Sequence, residues 1–349
     1  MSENEGVKNG NLFLDVCQLI ESLRTKVANQ VNSELTILYW NIGNRINRDI
    51  LENLRADYGK QIVATLSGQL QKQYGDKGFD TKSIRRMIQF ASTFSEFPIV
   101  ATLSRQLSWS HFMEVMPIKD ELQRDFYITM CSYEKWSVRT LRAKINGMLY
   151  ERTLISGKDN DSIKNELIDL RNNNCISPDL VFRSPYFLDF TGLKGYYSEK
   201  SLEDSLLVNI EQFILELGVG FSFIERQKRI IIDGEDFYID LLFYHRKLKR
   251  LIVIDLKLGR FKAQYKGQME LYLRWLEKNE MEKGESSPLG LILCTEGSDE
   301  QIELLELDKS GIKVAQYFTE LPAKNVLQEQ VKKQLQIAKE RFANRIDEE

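Results

Sequence analysis

Histidine and cysteine are scarce in this chain of 349 residues, which holds two of the first and four of the second. Cys17, Cys131, Cys175 and Cys294 stand far apart with no C-x-x-C pair. That spacing excludes a disulfide framework and a thiolate zinc site, and it points to the reducing cytoplasm. His111 and His245 cannot supply an H-E-x-x-H pair or a multi-histidine metal centre, and they remove most Ser-His-Asp arrangements. Neither G-x-x-x-x-G-K-[ST] nor G-x-G-x-x-G occurs, so nucleoside triphosphate hydrolysis and dinucleotide binding lose their usual signatures. The N-terminus, MSENEGVKNG, is polar, and no apolar run approaches the roughly 20 residues that cross a bilayer, so no membrane partner is expected. Neither sign of charge dominates: Lys and Arg number 48, Asp and Glu 51, for a net charge of -3. A uniformly basic nucleic-acid coat is excluded, and any polyanion must be met by a local patch.

With 42% hydrophobic and 28% charged residues the chain is too apolar for disorder, and its length implies two or three domains. Residues 1–155 read as all-helical, with apolar positions at helical spacing: Phe13, Val16, Leu19, Ile20 and Leu23, then Leu35, Leu38, Ile42 and Ile46, then Ile62, Leu66 and Leu70. Gly75 to Gly78 interrupts the pattern, and Asp80-Thr81 caps a further helix through Ile84, Met87, Ile88 and Phe90. Its first turns carry Lys82, Arg85 and Arg86, with Lys77 before them and Arg105 beyond. This placement suits a DNA-reading helix, and a plain solvated face has equal weight. Trp109, Phe112, Phe126, Tyr127 and Trp136 read as the core of this part.

Residues 156–178 are mostly polar and read as a linker, with a short apolar stripe at Ile163, Leu167 and Leu170. The period then changes, and an α/β domain is expected over 179–322. It opens with a helix from about Leu202 to Leu217. Strands follow at Phe221–Ile232, Phe237–Tyr244 and Leu251–Leu256, then a helix at Lys262–Leu276, a strand at Leu289–Cys294, a helix at Asp299–Glu306 and a strand at Ile312–Tyr317. Residues 323–349 form a C-terminal helix whose stripe of Leu327, Val331, Leu335 and Phe342 predicts packing or self-association, as in a homodimer. The class is α+β overall.

Two strands place a carboxylate inside an apolar run: Asp240 in FYIDLLF and Asp255 in LIVIDLK. A short polar connection, HRKLKR, joins them as antiparallel neighbours. If the turn is centred between Lys247 and Leu248, paired numbers sum to 495 and Asp240 faces Asp255, with Cβ atoms roughly 4.5 to 5.5 Å apart. Two buried carboxylates that close repel unless a cation or proton lies between them. The hard oxygen donors suit Mg²⁺ or Mn²⁺. Period-2 alternation puts Lys257 on the face of Asp255, where it can orient water or offset charge in phosphodiester hydrolysis. An ordinary strand-end ion pair of Asp255 with Lys257 is the competing reading. Between Glu225 and Lys266 eleven Lys or Arg meet six Asp or Glu, an excess of five. Arg226, Lys228, Arg229, Arg246, Lys247, Lys249, Arg250, Arg260, Lys262 and Lys266 are candidates to position a phosphate backbone.

At these residues the chain resembles the PD-(D/E)XK nuclease superfamily. The runs FYIDLLFYH (237–245), VIDLKLG (253–259), GLILC (290–294), LSWSHF (107–112) and LYWNIG (38–43) are similar to the bacterial YhcG-type nucleases over nearly the whole chain. The resemblance implies a restriction-endonuclease-like αβββαβ core behind a winged-helix-like, DNA-binding N-terminal domain. It also implies Asp240 and Asp255 as ligands of Mg²⁺ (or Mn²⁺) and Lys257 as the catalytic lysine. Relatives often add a glutamate from the first core helix, here Glu203 with Glu211 as rival, and some carry the Q-x-x-x-Y pattern matched by Gln268 and Tyr272. Ile239 departs from the proline of the superfamily's name, and Asp255 stands where many relatives have glutamate. The expectation is a metal-dependent deoxyribonuclease, with RNA not excluded as substrate. The alternative is a nuclease fold without turnover that serves as a DNA-binding or assembly module.

Overall fold

The computed structural model describes residues 31–48, 56–75, 78–155, 160–296 and 299–320, with scattered positions between 325 and 336. The tail stripe of Leu327, Val331, Leu335 and Phe342, the early positions Phe13 to Leu23, and Cys17 and Lys77 lie outside the described residues. The chain divides into two compact units, 1–143 and 144–349.

In the first unit all regular structure among the described residues is helical: α1 (31–48), α2 (Ala56–Tyr74), α3 (Thr81–Thr93), α4 (Phe97–Leu103), α5 (Trp109–Val115), α6 (Glu121–Glu134) and most of α7 (Val138–Asn146). No strand, and hence no wing, occurs there among the described residues. α3 starts where the sequence places a cap, because the Asp80 carboxylate accepts hydrogen bonds from the amides of Lys82 and Ser83 at 2.9 and 3.1 Å. Its buried stripe of Ile84, Met87, Phe90 and Ala91 faces the core. There Phe90 meets Phe112 and Trp109 with ring centroids 4.8 and 5.2 Å apart. α1 approaches α3 so closely that a Cβ on Gly43 would stand 1.9 Å from the Met87 carbonyl oxygen, so only glycine fits.

The second unit begins with α8 (Leu149–Ile155), α9 (Asn160–Asn173) and α10 (Pro178–Val181). The stretch expected as a linker is therefore largely helix. Ile163, Leu167 and Leu170 are buried, so that one apolar stripe was enough to dock an otherwise polar segment. There follow β1 (Tyr186–Phe187), α11 (Glu199–Val208), α12 (Ile210–Leu217), β2 (Phe221–Ile232), β3 (Glu235–His245), β4 (Arg250–Arg260), α13 (Gln264–Asn279), β5 (Leu289–Glu296), α14 (Asp299–Leu304) and β6 (Ile312–Phe318). The strands form one mixed sheet of order β1-β6-β5-β4-β3-β2, antiparallel from β2 to β4 and parallel from β4 to β1. The central strand β4 is buried from Leu251 to Leu256, as its unbroken apolar run requires. α13 lies close over β5: a Cβ on Gly290 would stand 2.5 Å from Met269 Sδ. Leu202 and Leu206 of α11 are also fully buried.

Candidate active site

The β3–β4 ladder pairs Leu241 with Ile254, Leu242 with Val253, Phe243 with Ile252, Tyr244 with Leu251 and His245 with Arg250. Each pair sums to 495; the ladder ends at Leu241 and Ile254, and Asp240 and Asp255 are the next residues beyond it on the two strands. Two carboxylates brought this close repel unless a cation or a proton lies between them. Asp255 is 3% exposed. Burial first, and the Asp240 charge after it, raise its carboxyl well above the usual range against the opposing pull of Lys257. Lys257 Nζ lies 2.9 Å from Asp255 Oδ2 and 5.4 Å from the centre of the Tyr265 ring. Burial disfavours that ammonium, but Asp255, with help from Asp240 and Glu199, holds its pKa above the ordinary lysine value.

α11 brings a third acid to the pair. Glu203 is buried, and desolvation raises its carboxyl, with Asp240 adding to the shift and a hydrogen bond from Gln227 opposing it. Its Oε2 accepts from Gln227 Nε2 at 2.7 Å. Its Oε1 is buried without a hydrogen bond and lies 3.6 Å from Arg226 Nε. The same Gln227 amide reaches Asp240 Oδ1 at 3.3 Å, and Asp240 Oδ2 accepts from the Leu256 amide at 2.9 Å. Glu211, the rival, is exposed on α12, because the helix expected from Leu202 to Leu217 breaks at Asn209. Glu203, Arg226, Gln227, Asp240 and Leu256 line a cleft of about 730 Å³ with Ser198, Glu199, Lys200 and Leu258. A second cleft of about 580 Å³, around Arg250 at the other end of β4, shares none of these residues.

Gln268 and Tyr272 meet on α13, where the Gln268 amide donates to the Tyr272 hydroxyl at 2.6 Å. That hydroxyl donates in turn to the Tyr238 carbonyl at 3.0 Å, and Tyr272 is 2% exposed. The pair therefore ties α13 to β3 two residues before Asp240, without reaching the acids by hydrogen bond.

Many of the cations expected on phosphates already hold acids. Arg226 pairs with Asp204 at 3.5 Å besides Glu203, and Lys228 with Glu225 and Glu280 at 3.2 and 3.1 Å. Arg229 pairs with Asp236, Arg260 with Glu296 and Lys266 with Glu270. Asp204, Glu280, Glu296 and Glu270 lie outside the window that gave the excess of five, so a count along the chain misses partners that the fold supplies. Arg246, Lys249 and Lys262 are exposed. In the first unit Lys82 and Arg85 are exposed and Arg86 is half-buried.

The acid set suits a hard divalent cation. Every side-chain donor is a carboxylate oxygen, one of them, Glu203 Oε1, is buried without a hydrogen bond, and buried Asp255 faces a second carboxylate, which calls for a positive charge or a proton between them. No group of three or more His, Cys, Asp or Glu closes around a single point among the described residues. Gln227 stands between Glu203 and Asp240, and the open set that remains suits an ion that keeps several waters.

A mixed sheet flanked by helices, with acids on adjoining strands and a lysine two residues beyond the second, defines a nuclease domain of the PD-(D/E)XK class. Residues 179–336 match the family described as YhcG PDDEXK nuclease domain, and residues 15–152 match the DUF1016 N-terminal domain. The chain is 31% identical over 361 aligned residues to "Putative nuclease YhcG" of Escherichia coli (strain K12), covering 95% of each sequence. It belongs to the YhcG family. Two solved structures share part of its length. A repair endonuclease from Pyrococcus abyssi has 21% identity, a TM-score of 0.26, and coverage of 37% of this chain and 50% of that one. An EndoMS–dsDNA complex has 18% identity, a TM-score of 0.28, and coverage of 37% and 49%. At those scores neither carries weight. Among the described residues no helix is long and apolar enough to cross a membrane.

Proposed function

We propose that this protein is a Mg²⁺- or Mn²⁺-dependent nuclease that hydrolyses the phosphodiester backbone of DNA in the cytoplasm. The observation that carries the reading is buried Asp255 beside Lys257, with half-buried Asp240 facing it from the neighbouring strand. A buried carboxylate and a largely buried ammonium with a second carboxylate facing them are costly, and structural needs alone do not call for them. The order α11-β2-β3-β4-α13-β5 is read as the αβββαβ core, and the helical first unit as the part that delivers DNA through Lys82, Arg85 and Arg86. In the second unit Arg226, Lys228, Arg246, Lys249, Arg260 and Lys262 are read as backbone contacts. For Arg226, Lys228 and Arg260 this requires an exchange of acid partners for phosphate.

Asp240 and Asp255 would hold the cation, with Glu203 adjoining. A bound divalent ion supplies Lewis-acid polarisation of the scissile phosphate and makes a nearby water more acidic. The residues of the chain do the rest. The Leu256 amide fixes one oxygen of Asp240, so the acid keeps a single orientation. Lys257 turns its ammonium from Asp255 towards the phosphate, orienting the attacking water and offsetting the charge that grows on the equatorial oxygens. Gln268 and Tyr272 support β3 rather than touch the reacting atoms.

Incubation of the protein with labelled single-stranded, duplex and branched DNA and either ion should yield cleavage that Asp255→Ala or Lys257→Ala abolishes while binding persists. Intact DNA in every form overturns the reading, and preferential cutting of RNA replaces the substrate. A second reading has one observation in its favour: both Asp240 oxygens and Asp255 Oδ2 already have protein partners, so the site is self-satisfied. The fold would then be a DNA-binding or assembly module, and calorimetry separates the two. Mn²⁺ binding that Asp240→Ala removes supports the enzyme, and no Mn²⁺ binding supports the module.

A further inference from the structure

We infer that Gln227 is a positioning residue of this site: its side-chain amide holds Glu203 and Asp240 at a fixed separation, and strand β2 carries a strained backbone to put it there. This rests on the nuclease reading above and adds to it a residue that neither the motifs nor the family pattern assigns.

Three observations converge. The ladder pairs Arg226 with Leu241 and Lys228 with Ile239, which brackets Gln227 opposite Asp240. Its Nε2 donates to Glu203 Oε2 at 2.7 Å and to Asp240 Oδ1 at 3.3 Å, so both protons of one amide go to two acids from different elements. Its φ is +47°, within a twelve-residue strand. A long side chain rarely adopts that conformation, and it persists only where the surroundings impose it.

The strain has a visible use. In a regular strand neighbouring side chains point to opposite faces. Yet Arg226 and Gln227 both reach Glu203. The left-handed residue breaks the alternation and lets the edge strand present a cation and an amide to the same carboxylate. The amide offers partial positive charge between two acids that would otherwise repel, and it leaves Glu203 Oε1 without a hydrogen bond. A cation then meets acids whose spacing is already set.

The backbone and the amide can be tested separately. Gln227→Met keeps length and strain but removes the donors, whereas Gln227→Gly removes the donors and relieves the strain. Both variants should bind Mn²⁺ about 10- to 100-fold more weakly by calorimetry, as supports of metal ligands do. Both should lower kcat with little change in KM for DNA. Without metal, the Gly variant should melt at a higher temperature than the Met variant. Wild-type Mn²⁺ affinity in both variants overturns the inference, as does a Gly variant that melts below the Met variant, which would mark Gln227 as ordinary strand packing. If the unaltered protein binds no Mn²⁺ and cuts nothing, the nuclease reading fails, and the metal-free melting order still decides the role of Gln227.

Discussion

The Lys257 ammonium stands 2.9 Å from Asp255 Oδ2, and both side chains are largely withdrawn from solvent, 13% and 4% exposed. Each group therefore depends on the other for its charge. Removing the lysine strands a buried carboxylate, and Lys257→Ala should cost about 3–5 kcal/mol of stability in urea unfolding unless Asp255 takes up a proton. Cleavage should fall about 10²- to 10³-fold in single-turnover assays. Full cleavage by this variant would remove Lys257 from the chemistry.

His245 is fully buried at the end of β3, with Nδ1 accepting from the Leu248 amide at 3.1 Å. Burial, with the charges of Lys247 and Arg250 adding to it, lowers its pKa from 6.5 to about 4. The unfolded chain thus takes up a proton at this residue before the folded one does. Stability should be highest above pH 6.5 and decline as the pH falls from 6.5 to about 4, by a total near ~3 kcal/mol. Urea midpoints at several pH values, compared with those of His245→Gln, measure that decline. An identical decline in the variant would assign it to other groups.

Arg152, 2% exposed, ties α8 to the body of the second unit. Its guanidinium donates to the Pro185 carbonyl at 2.6 Å and the Gly147 carbonyl at 3.3 Å, pairs with Glu216, and stacks 3.9 Å from the Phe187 ring centre. Arg152→Ala leaves Glu216 inside without its partner, and a loss of about 3–5 kcal/mol is expected from chemical denaturation. A loss under about 1 kcal/mol, the range of a surface ion pair, would show that the network relaxes.

Two cations in the first half of α3, exposed Arg85 and half-buried Arg86, make a separable prediction about nucleic acid. Joint replacement of Arg85 and Arg86 by Ala should weaken DNA binding across sequences and flatten the slope of log K against log salt by up to about 1.8. Anisotropy titrations between low and moderate salt read this directly. An unchanged slope would make the helix a solvated face.

Much of the second unit could be read from sequence, for definite reasons. β2 runs from Phe221 to Ile232 as its composition suggests, and the register of β3 on β4, from Leu241–Ile254 to His245–Arg250, followed from a polar connection between two apolar runs. Less could be read where the signal was short or nonlocal. β1 is two residues long and exists through its pairing with Tyr317 and Phe318, far along the chain. Asn209 breaks a helix whose apolar spacing continues on both sides. Gln227 lies among Arg226, Lys228 and Arg229 and reads as one more polar residue of a strand, because neither hydropathy nor spacing records a positive φ outside glycine. The acids that neutralise the basic stretch come from α11, α13 and β5, and only the fold brings them in.

Glu203, Gln227, Asp240, Asp255 and Lys257 all come from one uninterrupted stretch of chain made of α11, α12 and the β2–β4 meander. The working parts are thus complete before β5 and β6 leave the ribosome. As one continuous segment they form a single cassette, to which the first unit contributes none of these five residues.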